Sequence, residues 1–529
     1  MIGKQRTLNR MQKIVLGLIC EAMDRAEEVS DIAADGNEGH TVWEQPPQHL
    51  QYIGGSGGTG KSWLIETLKE VFAAKGSSKR IVITATSGTA AAGIGGNTIH
   101  SALGLAFKDQ DGAAMESLPS ANLERSRQRW RRRDVLVVDE VSMLGLKTLY
   151  EVDHKLRALR GFPHRPFGGI PVVVFTGDFL QFGPVLQKGL LSRVDPSDCG
   201  KGLRNLSDRA TQYRWQQIQA KTTWELFTNV VILEEQKRAE GDKELIGLLE
   251  RIRTGRQTAA DLDKLNSRYI PDEKLDFTGG RRAIIPLNRH RWDLTLCAAL
   301  AFGEEHGRKV SLFMSDHQWK TRMPSEEEME AVVLLGDDAQ LPIPGIFPVH
   351  GRRRRRRRRG RRTGDPRPAV RLPRAAKRHP SPIAGHGGAF PHIPPGTLML
   401  GTETVQLDKE KHGKYVCPRL AAKREFKMGL TRTGLPCTPG FALTDYKAQS
   451  KTLEKVLLGL YGRKGTKGYP SMEKCDVLSL YVQLSQCKRL RDIRLVQPIP
   501  REHFEQARMY PELTHRRGRS IKRASKTDG

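Results

Sequence analysis

The sequence lacks the cysteine pairs of a metal site or a disulfide framework. None of its seven cysteines forms a C-x-x-C pair, so neither a zinc site nor a disulfide scaffold is predicted, and a reducing compartment is expected. No apolar run approaches the roughly 20 residues that span a bilayer. The apolar run 14–20 lacks a small-residue cleavage site and continues into Glu21, which indicates a helix face rather than a signal peptide. A soluble, intracellular protein without a membrane partner is therefore expected.

Acidic residues are scarce relative to basic ones. The 529 residues carry 88 Lys and Arg against 59 Asp and Glu, a net charge of +29. Residues 351–379 hold 15 Lys and Arg and one Asp, a net +14, and the other 500 residues keep a net +15. This balance favours a polyanion such as nucleic acid as a partner. A merely solubilising cationic surface is the alternative.

A glycine-rich octet, GSGGTGKS, is the most informative motif of the chain. It fits the phosphate loop G-x-x-x-x-G-K-[ST], whose backbone N–H groups wrap nucleotide phosphates. Lys61 is predicted to reach the β- and γ-phosphates, and the Ser62 hydroxyl to bind Mg²⁺. A short strand before the octet and helical spacing after it argue against a flexible linker. The octet residues assigned to the nucleotide are Gly55, Ser56, Gly57, Gly58, Thr59, Gly60, Lys61 and Ser62.

Short Val/Ile-rich runs alternate with helical stretches from residue 49 to residue 235. The runs are continuous rather than alternating, which indicates strands buried on both faces of a parallel sheet in a doubly wound α/β domain. One run delivers Asp139, which suits the Mg²⁺ shell, and Glu140, which suits a base that orients and deprotonates the attacking water. Another run leads to Gln181, a neutral amide suited to sensing the γ-phosphate. The Asp-Glu pair favours hydrolysis of ATP over its transfer to a substrate.

Four further segments stand in a recognisable order with the phosphate loop: LNRMQ (8–12), ATSGTAAAGIGGNTIHSALGL (85–105), LYEVDHKLRALRGFPHRPFGGI (149–170) and LEEQKR (233–238). With them the chain resembles superfamily 1 helicases, and specifically the Pif group of 5′-to-3′ DNA helicases, which also occurs in mobile elements. The resemblance covers most of residues 5–340 and 396–500. It implies an α/β P-loop NTPase with two RecD/RecA-like parallel-sheet domains that bind ATP and Mg²⁺ between them.

The resemblance also implies roles for single residues. Gln12 would read the adenine, and Arg238 would reach the γ-phosphate from the second domain. Thr98 and His100 would touch single-stranded DNA, and Lys447 is assigned to DNA with them. Ordinary loop residues are the alternative for Thr98 and His100, and a plain surface arginine is the alternative for Arg238.

Closing on ATP and opening after hydrolysis would move the protein along a single strand and separate the duplex. Single-stranded and duplex DNA are therefore the expected partners, and a monomer is expected. Roles in DNA repair, recombination or telomere maintenance are implied by the resemblance alone. Basic clusters at 352–362 and 515–523 suit nuclear signals, so a nuclear location is expected.

Two positions depart from the pattern of the family. In KAQSKT (447–452), Ser450 replaces a glycine, and serine adds strain of about 1 kcal/mol or more if that turn needs a positive φ. In YVQLSQCKRL (481–490), Gln486 stands where the family has a second catalytic arginine. Such arginines contribute about 10³–10⁵ in rate, and glutamine lacks the charge. Lys488 is close in sequence but is expected to point elsewhere, so the second half is interpreted as degenerate.

The predicted domains are 1–232 (first RecA-like ATPase domain), 233–340 (start of the second), 341–395 (Arg/Pro-rich and disordered), 396–500 (remainder of the second) and 501–529 (basic tail). In the family a small β-barrel insertion lies between the two halves, whereas residues 347–395 show no strand pattern. This stretch is either a basic arm that binds nucleic acid non-specifically or the translation of a mis-spliced or frame-shifted piece of a decaying gene, the preferred hypothesis. Sequencing the transcript distinguishes them.

Three functions remain open at this point. The first is an active ATP-dependent DNA helicase. The second is a relic with a helicase fold that binds ATP and DNA but unwinds weakly or not at all. The third, a P-loop ATPase whose substrate is not DNA, is disfavoured by the Pif-group segments.

Overall fold

The computed structural model describes residues 7–34, 47–105, 120–194, 209–271, 277, 280–319, 325–337, 341, 343–351, 401–407, 430–460 and 477–505. The chain forms two compact units. The first runs to residue 272 and resumes at 445, and the second covers 273–444. The predicted boundary at 232/233 falls inside the first unit, and the predicted domain limits stay a prediction. The arginine tract from 352 and the tail beyond 505 lie outside the described residues.

Six parallel strands form the centre of the first unit. They are β1 (His49–Gly55), β2 (Ile81–Ala85), β3 (Asn97–Thr98), β4 (Val135–Asp139), β5 (Val172–Gly177) and β6 (Asn229–Leu233). Their order is β3-β2-β4-β5-β1-β6, and every neighbouring pair is parallel. The strands that bear the phosphate loop, the two carboxylates and Gln181 are thus β1, β4 and β5, which end at one edge of the sheet. That edge is where open α/β sheets bind their ligands.

The helices that precede the second unit are α1 (Arg10–Ala34), α2 (Lys61–Ala74), α3 (Gly88–Gly93), α4 (Ile99–Leu103), α5 (Ser120–Arg131), α6 (Leu146–Arg160), α7 (Arg209–Glu225), α8 (Lys243–Thr254) and α9 (Ala259–Asn266). Of these, α1 to α7 contribute to the apolar cores on the two faces of the six-stranded sheet. In β4, Leu136 and Val138 belong to one apolar core, whereas Val135 and Val137 belong to the other. The strands are therefore buried on both faces, as their continuous apolar runs predict.

The described residues of the second unit form short strands and two helices. They are β7 (Arg282–Ile284), α10 (Asn288–Glu305), β8 (Lys309–Met314), β9 (Asp316–Trp319), α11 (Glu326–Val333), β10 (Ile346–Gly351), β11 (Glu403–Leu407), β12 (Leu430–Gly434) and β13 (Ala442–Leu443). β13 pairs with β7 in parallel, whereas β8 pairs with β10, and β12 pairs with both β11 and β9, in antiparallel fashion.

Two element boundaries differ from what the sequence indicates. The polar, Gly- and Pro-containing stretch 30–47 predicts a loop from residue 30, but α1 continues to Ala34. β10 includes Phe347–Gly351, although no strand was expected from residue 347. An antiparallel strand with an exposed face needs no continuous apolar run, and Leu312 on its partner β8 is 56% exposed, so the sequence signal there is weak.

The chain returns to the first unit at residue 445, where the described residues form further short elements. They are α12 (Asp445–Ala448), β14 (Val456–Leu458), α13 (Val477–Ser485), β15 (Ile493–Leu495) and α14 (Arg501–Glu505). β14 and β15 are parallel neighbours. Ser479 Oγ on α13 donates to Asp445 Oδ2 on α12 over 2.6 Å. This bond joins the segments that carry the two departures from the family pattern, Ser450 and Gln486. None of the described helices has the length and apolar character to cross a membrane.

Candidate nucleotide-binding and catalytic site

The phosphate loop connects β1 to α2, as predicted. Gly58 and Gly60 have φ angles of 95° and 88°, a backbone region that glycine enters without steric cost. Thr59 Oγ1 donates to the Ser56 carbonyl over 2.9 Å and fixes the turn. α2 begins at Lys61, so the N–H groups of its first turn face the loop. A helix N-terminus behind a glycine-rich turn is a phosphate-binding arrangement.

Lys61 folds back over the loop that precedes it. Its Nζ donates to the carbonyls of Gly55 over 2.7 Å and Ser56 over 3.0 Å. Burial lowers the pKa of Lys61, and the nearby carboxylates of Asp178, Glu140 and Asp139 oppose that shift. The ammonium group therefore lies between the loop and the acidic groups.

The two carboxylates at the end of β4 lie in the same pocket as Lys61 and Ser62. Asp139 Oδ1 accepts hydrogen bonds from Thr176 Oγ1 and from the backbone N–H of Glu140. Burial and the charge of Glu140 raise the pKa of Asp139 to about 6. Glu140 has φ 57°, a strained conformation of the kind found at functional sites. This turn directs successive carboxylates into one pocket.

Gln181 also lines this pocket and is held by the turn that follows β5. Its backbone N–H donates to the Asp178 carbonyl over 2.9 Å. The Gln181 side chain is buried, and its Oε1 has no hydrogen-bond partner among the described residues. A buried amide oxygen with unused capacity at this edge suits contact with a bound water or ligand donor.

Asp178 itself belongs to a buried cluster with Arg253 of α8 and Tyr481 of α13. Arg253 Nη1 donates to Asp178 Oδ2 over 2.5 Å and to Tyr481 Oη over 2.6 Å. Burial alone would raise the pKa of Asp178, but the charge and hydrogen bond of Arg253 outweigh it and lower that pKa. The Asp178–Arg253–Tyr481 cluster therefore connects the turn of Gln181 to the helix before Gln486.

Arg238 lies beside the phosphate loop in the first unit. Its backbone N–H, and that of Lys237, donate to the Gly58 carbonyl over 3.1 and 2.8 Å. The predicted place of Arg238 in a second RecA-like domain stays a prediction, and in this structure Arg238 belongs to the same compact unit as the loop. The reason is that β6 pairs with β1, so the chain leaves β6 next to the loop. Burial lowers the pKa of the Arg238 guanidinium.

We call residues 55–62, with Asp139, Glu140 and Gln181, the phosphate wall, and residues 449–452 and 485–488 the opposite wall. Both belong to the first unit and line one pocket. From the opposite wall, Gln449 Nε2 donates to Glu140 Oε2 over 2.9 Å, and Ser450 Oγ donates to Glu140 Oε1 over 2.5 Å. Ser450 has φ 69°, so the condition for strain at this position is met.

Gln486 takes part in the opposite wall as a neutral, buried group. Its Nε2 donates to the Val482 carbonyl and to Ser485 Oγ over 2.8 and 2.9 Å. Its Oε1 accepts from Arg238 Nη1 over 3.1 Å. Gln486 therefore holds the remaining arginine instead of adding a second one. Lys488 lines the pocket, contrary to the expectation that it points elsewhere, and its Nζ is paired with Glu454.

Gln12 lies against the phosphate loop. Its Nε2 is 3.4 Å from the carbonyl oxygens of both Thr59 and Gly60. Gln12 and Asn9 exchange reciprocal backbone–side-chain hydrogen bonds at the start of α1, as in a capping box. The role of Gln12 in reading adenine stays a prediction.

The residues assigned to DNA do not line the nucleotide pocket. Thr98 caps α4, because its Oγ1 accepts from the Ser101 backbone N–H over 3.2 Å. His100 follows on α4 and is half-buried, and this burial lowers its pKa. Lys447 is exposed on α12. Their contact with DNA stays a prediction.

The donor set fits a nucleoside triphosphate with Mg²⁺. Glycines and the start of α2 form a cradle for phosphates, and Lys61 supplies a positive charge. The Ser62 hydroxyl and the Asp139 carboxylate both line the pocket and are the kind of oxygen donor that Mg²⁺ prefers beside phosphate oxygens. Sequence reasoning missed the Asp178–Arg253–Tyr481 cluster and the contact of Gln449 with Glu140. The only signal for Gln449 was the match of its segment to a family loop.

Comparison with known proteins finds similarity to one family. Residues 40–262 match the model of the PIF1-like helicase family. An ATP-dependent DNA helicase PIF1 of Saccharomyces cerevisiae is 33% identical over 233 residues, which cover 43% of this chain and 24% of that protein. An ATP-dependent DNA helicase PIF7 of Trypanosoma brucei brucei is 34% identical over 233 residues, which cover 42% of this chain and 21% of that protein. The matched segment thus spans about a quarter or less of these relatives.

Solved structures share the fold over most of the chain. The Pif1 helicase of Candida albicans superposes with a TM-score of 0.55 at 17% identity, covering 98% of this chain and all of that one. A Bacteroides Pif1 bound to ssDNA superposes with a TM-score of 0.50 at 19% identity, covering 91% of this chain and 94% of that one. The predicted resemblance to the Pif group and the predicted α/β fold of RecA-like parallel-sheet domains are confirmed.

Proposed function

We propose that this chain, a Pif1-type superfamily 1 helicase by its resemblance, is an ATP-dependent DNA helicase that moves 5′ to 3′ on single-stranded DNA and unwinds duplex. One observation carries the proposal. A single pocket collects Lys61, Asp139, Glu140, Gln181 and Arg238. These are a phosphate cation, a metal-binding carboxylate, a candidate base, a candidate sensor and an arginine, which is the set that phosphoryl transfer to water requires.

The chain's own residues divide the work of hydrolysis. Lys61 leaves its two loop carbonyls to contact the β- and γ-phosphates, and Arg238 neutralises charge that develops on the γ-phosphate. Glu140 orients the attacking water and accepts its proton, while Gln181 contacts that water or the γ-phosphate. Mg²⁺, held by Ser62 and Asp139, would supply charge neutralisation at the β- and γ-oxygens.

A second candidate function is a relic that binds ATP and DNA with weak or no unwinding. The observation in its favour is Gln486, whose side chain accepts a hydrogen bond from Arg238 instead of supplying a second positive charge. A missing catalytic arginine costs about 10³–10⁵ in rate. This candidate keeps the phosphate wall intact and predicts binding of ATP without rapid turnover.

DNA-stimulated ATP hydrolysis by the purified full chain tests the proposal. The rate of phosphate release is measured with Mg²⁺, with and without a single-stranded oligonucleotide, and strand separation is measured on duplexes that carry a 5′ or a 3′ single-stranded tail. We expect stimulation by DNA and unwinding from the 5′-tailed substrate only. ATP binding without stimulation would favour the relic, and unwinding from a 3′ tail would overturn the polarity.

DNA binding through phosphates is supported by the charge of the chain. Beyond the net +29, α5 carries the arginines Arg125, Arg127, Arg129 and Arg131. We expect the affinity for a single-stranded oligonucleotide to fall about 10²-fold or more between about 50 and 200 mM salt, because bound counterions are released. A weak salt dependence would contradict a phosphate-tracking surface. Thr98, His100 and Lys447 are the residues proposed to contact that strand.

Other expected properties follow from the resemblance and from the basic clusters at 352–362 and 515–523. We expect a monomer, a nuclear location and a role in DNA repair, recombination or telomere maintenance. Sedimentation of the purified chain tests the first, and imaging of a tagged chain tests the second.

A further inference from the structure

Ser450 departs from the family pattern, but its hydroxyl has a specific acceptor. We propose that Ser450 is a positioning residue that holds the Glu140 carboxylate in the orientation needed to align the attacking water. The inference rests on the proposed function, since it concerns the hydrolysis of ATP at the same site. It assigns a role to the position that the sequence analysis interpreted as degenerate.

The geometry that carries the inference is a two-sided hold on Glu140. Ser450 Oγ donates to Oε1 over 2.5 Å and Gln449 Nε2 donates to Oε2 over 2.9 Å. Two donors on the two oxygens fix the plane of the carboxylate, whereas one donor would leave the group free to rotate. A glycine at position 450 has no side chain and cannot make the first of these bonds.

The backbone at both ends of this bond is strained. Glu140 has φ 57° and Ser450 has φ 69°, and a side chain in the left-handed region costs about 1–2 kcal/mol. Serine at a position that glycine would occupy without strain implies a compensating contact. A hydrogen bond to a charged acceptor contributes about 1.5–3 kcal/mol, which is enough to offset the strain.

The hold leaves Glu140 able to meet a water molecule. An ionised carboxylate offers about four lone-pair sites on its two oxygens, and the two donors occupy one on each. Glu140 and Ser450 both line the pocket together with Lys61 and Gln181. A water in that pocket therefore reaches an unused lone pair of a carboxylate that is already oriented.

The kinetic test compares two substitutions at position 450. Ser450→Ala and Ser450→Gly both remove the hydroxyl, but only glycine relieves the positive φ. We expect kcat of DNA-stimulated ATP hydrolysis to fall about tenfold in both, equivalent to about 1.4 kcal/mol, while KM for ATP changes less than about twofold. The matched control is Ser77→Ala, whose hydroxyl donates to the Lys75 carbonyl outside the pocket and which should leave kcat unchanged.

A second test works even in a protein that hydrolyses no ATP. Thermal unfolding without nucleotide is compared for Ser450→Ala, Glu140→Ala and the double variant. If the two side chains bond each other, the single losses do not add, and the double variant should unfold about 1–2 °C higher than additivity predicts. Should the wild type lack ATPase activity, the proposed function fails, but this cycle still tests the contact between Ser450 and Glu140.

Three results would overturn the inference. An unchanged or raised kcat in Ser450→Ala would mean that the hydroxyl is irrelevant to the base or restrains it. A fall in kcat confined to Ser450→Gly would assign the effect to the backbone. Additive losses in the unfolding cycle would show that the two side chains are not bonded.

Discussion

The phosphate wall and the opposite wall of the pocket differ in the kind of group that makes their contacts and in how closely they match the family pattern. The phosphate wall is made of backbone and of side chains that follow the parallel strands β1, β4 and β5, and it matches its family pattern at every assigned position. The opposite wall comes from short segments after α12 and α13, and it departs from that pattern at Ser450 and Gln486. The two walls nevertheless meet through hydrogen bonds to Glu140 and Arg238.

The difference teaches where substitution is tolerated in such a pocket. A phosphate loop works through backbone N–H groups and positive φ angles, so few side chains can replace its glycines. The opposite wall works through side-chain donors, and a different donor can take over part of a contact. Ser450 hydrogen-bonds Glu140, and Gln486 hydrogen-bonds Arg238. Substitutions that accumulated without selection would not be expected to make such contacts with candidate catalytic residues.

Lys61→Ala should have the largest effect on this comparison. Lys61 supplies the positive charge of the phosphate wall, and its Nζ is held over the loop by hydrogen bonds to the carbonyls of Gly55 and Ser56. We expect DNA-stimulated ATP hydrolysis to fall to background, with the chain still folded by circular dichroism. The matched control is Lys69→Ala on the same helix, which pairs with Glu66 and should keep its rate. Continued ATP hydrolysis by Lys61→Ala would contradict the assignment of this pocket as the site of hydrolysis.

Arg253→Met should have the next largest effect, because it cuts the buried cluster that joins the walls. Removing Arg253 leaves the Asp178 carboxylate buried without its partner, at a cost of about 3–5 kcal/mol in the free energy of unfolding. Chemical denaturation measures the loss. Arg256→Met, an exposed arginine three residues along, is the control and should change little. Equal stability of the two variants would mean that the cluster does not connect the walls energetically.

Gln486→Arg should have the smallest effect of the three and tests the opposite wall directly. We expect DNA-stimulated ATPase activity to rise at least about tenfold, since an arginine at this position adds charge for the transition state. Without nucleotide the unfolding temperature should fall, because Arg238 Nη1 lies 3.1 Å from the Gln486 oxygen and two buried guanidinium groups repel. Gln486→Met, which adds no charge, is the control. An unchanged rate would place the arginine role elsewhere, with Lys488 the next candidate.

The phosphate wall could be predicted from the sequence because its determinants are local. Continuous Val and Ile runs predict the parallel strands. Because the carboxyl ends of parallel strands lie at one edge of a sheet, the residues that follow β1, β4 and β5 are expected to lie close together there. The loop, Asp139, Glu140 and Gln181 were therefore found in one pocket, as expected. The resemblance to a known family added names for their roles.

The opposite wall could not be predicted in the same way. The hydrogen bond between Ser450 and Glu140 joins residues 310 positions apart, and no periodicity reports such a contact. The position of Arg238 beside the phosphate loop could not be predicted, because sequence order does not show that β6 pairs with β1. The Asp178–Arg253–Tyr481 cluster was missed because an arginine inside an amphipathic helix usually lies at the surface.

The hydrogen bonds from Lys237 and Arg238 to the Gly58 carbonyl have a consequence for variation at position 58. A methyl group added to Gly58 would lie 2.1 Å from Gln236 Oε1 and 2.5 Å from Arg238 Cβ. Two independent constraints, the steric clash and the φ of 95°, thus both favour glycine at position 58. A change in a neighbouring residue that removed the clash would leave the φ constraint in place. In a saturation library only glycine should survive there. The absence of a Cβ atom at Gly58 is therefore what allows Arg238 to lie beside the phosphate loop.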